Sequence, residues 1–192
     1  MALPYYNTPE FDPIFIASKN EMASLVPHQL SDFSFINQHN QIITQQEVEG
    51  KIHVANFIFA SCGSICPKMT NHMKLVNDAF EGDQDVKFLS YSVTPSIDDV
   101  ERLHEYAELN RINSKNWHLL TGSKSKIYEL ARKSYFAEED MGFTKDSTAF
   151  LHTEHFLLVD QTKRIRGIYN GTLQLEMEQL IKDIHELKKE SL

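Results

Sequence analysis

The stretch His53-Val54-Ala55-Asn56-Phe57-Ile58-Phe59-Ala60 constrains this chain most. It is rich in β-branched and aromatic residues and largely apolar at both odd and even positions. A strand with one wet face alternates; one apolar on both parities lies inside a sheet covered on two sides. Ser61–Pro67 follows, and Met69, Met73, Val76 and Phe80 keep a helical period, predicting a helix over Pro67–Phe80. Pro67 suits a first helical turn, where its missing N–H is no loss. Gly82 suits the exit.

The same alternation continues. Val86–Val93 reads as a second buried strand, Asp98–Asn110 as a helix, Trp117–Leu120 as a strand and Ser123–Ser134 as a helix. Phe150–Asp160 and Ile165–Tyr169 read as strands joined by a turn at Gln161–Arg164. Thr172–Lys189 closes the chain as an amphipathic helix with Met177, Leu180, Ile181, Ile184 and Leu187 on one stripe. Ahead of these, Phe33, Phe35, Ile42 and Ile43 flank the polar Asn37–Gln41, a hairpin pattern. Alternating strands and helices imply parallel crossovers, and the hairpins add antiparallel strands. The expected fold is α/β: a thioredoxin-like central mixed sheet with helices on both faces and an N-terminal β-hairpin. Chemistry in such sheets gathers at the C-terminal ends of strands.

The chain has 192 residues, enough for one domain. Residues 1–27, broken by Pro4, Pro13 and Pro27, read as an irregular arm, and 28–192 as the domain. The net charge of −8 argues against nucleic acid as a partner, which calls for a basic face. No apolar run reaches the ~18 residues of a membrane span, and no signal peptide is evident. The abrupt Met1-Ala2-Leu3-Pro4 fits a start from which an anchor has been removed.

The two cysteines, Cys62 and Cys66, are too few for a disulfide-built fold and read as a site. Four residues apart at a helix start, they reach one ion or each other. The positive end of the helix favours their thiolates, which serve metal binding and redox chemistry alike. Three residues between them is one more than in the usual thioredoxin redox pair and leaves room for an ion. Two thiolates suit copper(I), zinc or iron–sulfur centres, and a histidine is the common third ligand. There are nine histidines. His72 lies more than a turn beyond Cys66. His152 and His155 both fall at the start of the Phe150–Asp160 strand, and an offset of three puts them on opposite faces.

Residues 54–70, Val-Ala-Asn-Phe-Ile-Phe-Ala-Ser-Cys-Gly-Ser-Ile-Cys-Pro-Lys-Met-Thr, resemble the Cys-x-x-x-Cys-Pro copper motif of the SCO/SenC family. Residues 90–106 resemble that family's Ser-Val-Asp-Pro segment with its helix. Residues 152–160, His-Thr-Glu-His-Phe-Leu-Leu-Val-Asp, resemble its His-Thr/Ser stretch leading into an apolar strand. The resemblance runs from about residue 28 to 187. It implies copper as cofactor, with Cys62, Cys66 and His152 as ligands. It implies a metallochaperone whose partners are the copper-bearing subunit of cytochrome c oxidase or a copper donor or acceptor protein. It also implies a membrane-anchored domain on the periplasmic side of the inner membrane. Two departures stand out. Gly63 replaces the family's Pro, and Thr94-Pro95 replaces its Asp-Pro, removing an acidic group expected near the site.

The rival function is thiol–disulfide oxidoreduction, with Cys62 and Cys66 as catalytic residues acting on cysteines of the oxidase copper site or another partner. Peroxide chemistry would need an arginine near a single reactive cysteine, and Thr70 has none close in sequence. Met69 and Met73 read as core, Asp98-Asp99 as helix capping, and Asn170-Gly171 as a plain turn.

Overall fold

The structure, a computed structural model, describes residues 2–61, 65–138 and 151–190. Its elements in chain order are α1 (Met22–Leu25), β1 (Ser34–Asn37), β2 (Ile42–Thr44), β3 (Ile52–Ile58), α2 (Ile65–Ala79), β4 (Val86–Ser92) and α3 (Val100–Leu109). Then come β5 (Trp117–Thr121), α4 (Lys124–Glu129), β6 (His155–Val159), β7 (Ile165–Asn170) and α5 (Gln174–Glu190). The strands form one mixed seven-stranded sheet in the order β2-β1-β5-β4-β3-β6-β7. β3, β4 and β5 run parallel through the crossovers of α2 and α3. The β1–β2 hairpin and the β6–β7 pair add antiparallel strands at the two edges. This is the thioredoxin-like architecture that the alternation predicts.

Every residue of β3, β4 and β5 is buried, as strands apolar on both parities must be. One face of the sheet packs Val54, Ile58, Phe88 and Leu119 against α2, α3 and α5. The other packs Ala55, Phe57, Leu89 and Tyr91 against the hairpin and α4. On α5, Met177, Leu180, Ile184 and Leu187 are fully buried. Each contributes about 1.5–3 kcal/mol relative to an exposed position. Met69 and Met73 are core residues.

Three sequence expectations change. The helix expected over Ser123–Ser134 is α4 followed by a π-helical turn at Leu130–Ser134, which delivers Tyr135 into the core. The strand expected to start at Phe150, a position outside the described residues, begins at His155; Leu151–Glu154 is not strand. Gly171 is not a plain turn glycine. A Cβ there would sit 2.3 Å from the Phe156 ring and 2.9 Å from the Glu154 carbonyl, so only glycine fits.

The first residues lie along β7. Tyr6 bridges Ile165, and the buried Arg166 guanidinium receives the arm, donating to the carbonyls of Leu3 (2.8 Å) and Pro4 (3.0 Å). The same guanidinium lies 3.8 Å from the Tyr5 ring centroid and 3.0 Å from the Asp160 carboxylate.

Candidate metal centre

The site lies where β3 ends and α2 begins. Cys66 is buried, in the first turn of α2 and on the sheet face that carries α2 and α5. A thiol in that turn meets the positive end of the helix. Cys62 lies outside the described residues. Its approach is described: Ala60 and Ser61 lead out of β3 directly toward it.

The β3–β6 register fixes how β6 meets β3. His53 pairs with Val159, Val54 with Leu158 and Ala55 with Leu157. The pairs end at Ala55–Leu157 and β6 begins at His155, so His152 lies three residues before the strand, in the non-strand segment that leads into it. Parity supplies the face. Leu151, Leu157 and Val159 belong to the core on the α4 side, whereas Phe156 and Leu158 face α2 and α5. His155 shares the parity of the first set, and its Nδ1 donates to the Ala137 carbonyl at 3.1 Å on that side. His152 precedes the strand, so strand alternation assigns it no face, a correction to the reading that sets His152 and His155 on opposite faces of one strand; its side chain is exposed.

The helix bearing Cys66 is tied to the His152 segment. His72 Nδ1 donates to the Gly171 carbonyl (2.7 Å), and the Gly171 N–H donates to the Glu154 carbonyl (2.8 Å). His72 is therefore a bracing residue. Thr153 Oγ1 donates to the Ala137 carbonyl and accepts from His155 N–H, holding the approach to β6. Among the described residues no three His, Cys, Asp or Glu side chains form a metal-holding group. The described part of the candidate set is Cys66 and His152.

Thr94 brings no carboxylate here, but that of Asp98 lies beside it. Asp98 is fully buried, and its Oδ2 accepts from Ala60 N–H (3.0 Å), Ser92 Oγ (2.8 Å) and Thr94 Oγ1 (3.0 Å). Asp98 and Asp99 therefore do not form a capping pair. Asp99 alone caps α3, accepting from Arg102 N–H at 2.9 Å. Arg102 also departs from expectation: no arginine lies near the cysteines in sequence, yet its Nη2 donates to Ser61 Oγ at 2.6 Å. The spacing Asp98, Arg102 is an i,i+4 step, the one signal that could have paired them.

A family model described as SCO1/SenC matches residues 22–189. The chain belongs to the SCO1/SenC family. Among solved structures, it is similar to a SCO1/SenC family lipoprotein from Bacillus anthracis str. Ames. Identity is 29%, TM-score 0.73, covering 84% of this chain and 95% of that one. It is also similar to BsSco, a member of the Sco family of cytochrome c oxidase assembly proteins in which a disulfide switch was identified. There identity is 30% and TM-score 0.70, covering 83% and 93%. ScoI of Bradyrhizobium japonicum, solved with copper bound, shares the fold at 21% identity and TM-score 0.65, covering 83% and 99%. No helix among the described residues of this SCO1/SenC chain is long and apolar enough to cross a membrane.

Proposed function

We propose that this chain is a copper carrier in which Cys62, Cys66 and His152 hold one copper ion. It passes that ion to the dinuclear copper centre during cytochrome c oxidase assembly. The observation that carries the reading is that the helix bearing Cys66 is tied to the segment bearing the exposed His152: His72 of α2 donates to the Gly171 carbonyl, and the Gly171 N–H donates to the Glu154 carbonyl. Two thiolates and an imidazole form a soft donor set suited to copper(I) and able to hold copper(II). An exposed histidine leaves the ion open to an incoming thiolate, which transfer by ligand exchange requires. The copper-bound ScoI supports the cargo, and BsSco's part in oxidase assembly supports the destination. The proposed location is the periplasmic side of the inner membrane, held by an anchor, which the lipoprotein relative supports.

Copper titration tests the ligand set. The wild type binds one equivalent, with a sulfur-to-copper(II) charge-transfer band. Cys62→Ala and Cys66→Ala abolish binding. His152→Ala weakens it by about 100-fold or more, beyond the usual effect of losing an outer-shell partner. His155→Ala leaves binding intact, and the reverse result for the two histidines overturns the assignment. The disulfide switch of BsSco favours a second use of the same pair, thiol–disulfide exchange with a partner. Fast turnover of dithiol substrates combined with weak copper(I) binding would move the conclusion to that activity.

A further inference from the structure

Resting on the carrier reading, we propose that Asp98 is a positioning residue. It fastens Ala60 directly, and Ser61 through Arg102, to the residues that follow β4, and thereby tunes copper binding and disulfide formation by Cys62 and Cys66.

The carboxylate is fully buried and its contacts are one-sided. Oδ2 takes three hydrogen bonds: from the Ser92 hydroxyl at the end of β4, from the Thr94 hydroxyl two residues beyond it, and from the Ala60 backbone. Oδ1 accepts no hydrogen bond among the described residues and lies 3.7 Å from Arg102 Nε. A buried charge left half-paired is costly, and a core needing only a polar filler would be served by a neutral side chain. What the charge does here is hold two things at once. It grips the backbone of Ala60, and it retains Arg102, whose other end donates to Ser61 Oγ at 2.6 Å. Ala60 and Ser61 are the two residues that run into Cys62. Ala60 is thus fixed from the turn between β4 and α3, and Ser61 from α3, neither of which contains a cysteine. Preorganisation of this kind lowers the entropy lost when two groups are brought onto one centre. It acts equally on copper binding and on disulfide closure.

The test uses the full chain with Asp98→Asn, which keeps size and one acceptor, and Arg102→Ala, which cuts the Ser61 arm and the 3.7 Å ion pair with Asp98 Oδ1 but leaves the Asp98 bonds to Ala60, Ser92 and Thr94. Two quantities are read: the copper(I) dissociation constant, and the reduction potential of the Cys62/Cys66 couple in metal-free protein. Asp98→Asn is expected to raise the dissociation constant about tenfold. It should also make the disulfide about tenfold harder to form, raising the potential by about 30 mV. Arg102→Ala is expected to give about threefold in the same directions. Stoichiometry stays at one copper, because no ligand is lost. Should Asp98→Asn fail to fold, Arg102→Ala decides alone. If the folded variants leave both quantities within experimental error while only the melting temperature falls, Asp98 is a structural residue and the proposal is overturned. If the wild type binds no copper but the potentials shift as stated, the carrier reading fails and the positioning role stands.

Discussion

The two ends of the parallel strands both bury charge, and they use it differently. Where β3, β4 and β5 begin, Lys87 Nζ donates to Asn116 Oδ1 (2.8 Å) and lies 3.3 Å from Glu47 Oε1. His118 Nε2 sits 3.0 Å from the same carboxylate, and its Nδ1 lies 3.1 Å from Asn37 Nδ2. These bonds run between β1, β4, β5 and the turn after β2, and they knit strands to strands. Burial raises the Glu47 carboxyl, but the bonds and charges of His118 and Lys87 carry it below the usual range. Where the strands end, Asp98 ties a strand to a loop and leaves one oxygen without a hydrogen bond among the described residues. A polar network closed on itself contributes to the fold. One whose bonds converge on the approach to a reactive motif spends part of its energy on geometry there.

The starting end is therefore where perturbation should unfold the protein without touching the site. The largest effect is expected from acid. His53, fully buried in β3, has Nε2 3.0 Å from Tyr135 Oη, whose own oxygen lies 2.8 Å from Tyr91 Oη. Burial pushes the imidazole down to about 3. An unfolded histidine takes up its proton near pH 6.5, and the folded one refuses it until about 3. Stability is whole above pH 6.5 and is lost as pH falls from there toward 3, by up to about 5 kcal/mol. Denaturant unfolding across that range measures it, and His53→Gln should flatten the profile. An equally steep profile in His53→Gln would assign the acid sensitivity elsewhere.

A smaller loss is expected from Lys87→Met. Removing one member of a fully buried pair costs about 3–5 kcal/mol. Glu47 is partly exposed and keeps His118, so about 2 kcal/mol is expected here. Copper affinity should stay within twofold of wild type. A large fall in affinity would mean that the two ends communicate and that the contrast between them is false.

Legibility from sequence follows the same division. The buried strands announced themselves by composition, because a sheet covered on both faces has room for little else, and α5 by its stripe. The proposed set Cys62, Cys66 and His152 rests on residue type, spacing and resemblance, and only Cys66 and His152 of it fall among the described residues. What stayed hidden was long-range and polar. Asp98 lies 38 residues from the Ala60 backbone that it holds, and Arg102 lies 41 from Ser61. Neither contact carries a period or a local spacing. Thr94 carries no acid, yet a carboxylate lies beside it: the turn from Thr94 to Asp98, closed by Asp98 N–H donating to the Thr94 carbonyl at 2.8 Å, brings in the side chain four residues on. The boundary of β6 was missed because Leu151 is buried like a strand residue while its neighbours make loop contacts.

The neighbouring acids Asp98 and Asp99 allow the contrast to be sharpened within two residues. Asp99 is exposed, and among the described residues its carboxylate meets the first turn of α3 alone, accepting from Arg102 N–H. Asp99→Ala removes a helix cap and is expected to cost about 1 kcal/mol of stability. It removes no bond to Ala60, Ser61 or the β4 end, so the copper dissociation constant and the potential of the cysteine couple should not move. This variant loosens the helix that carries Arg102 without cutting the Arg102–Ser61 bond. If it shifts the potential as far as Asp98→Asn does, general softening of α3 accounts for both, and the special standing of the exit end disappears. If stability falls while the potential holds, then what governs the motif is the grip on its approach and not the firmness of the helix beside it.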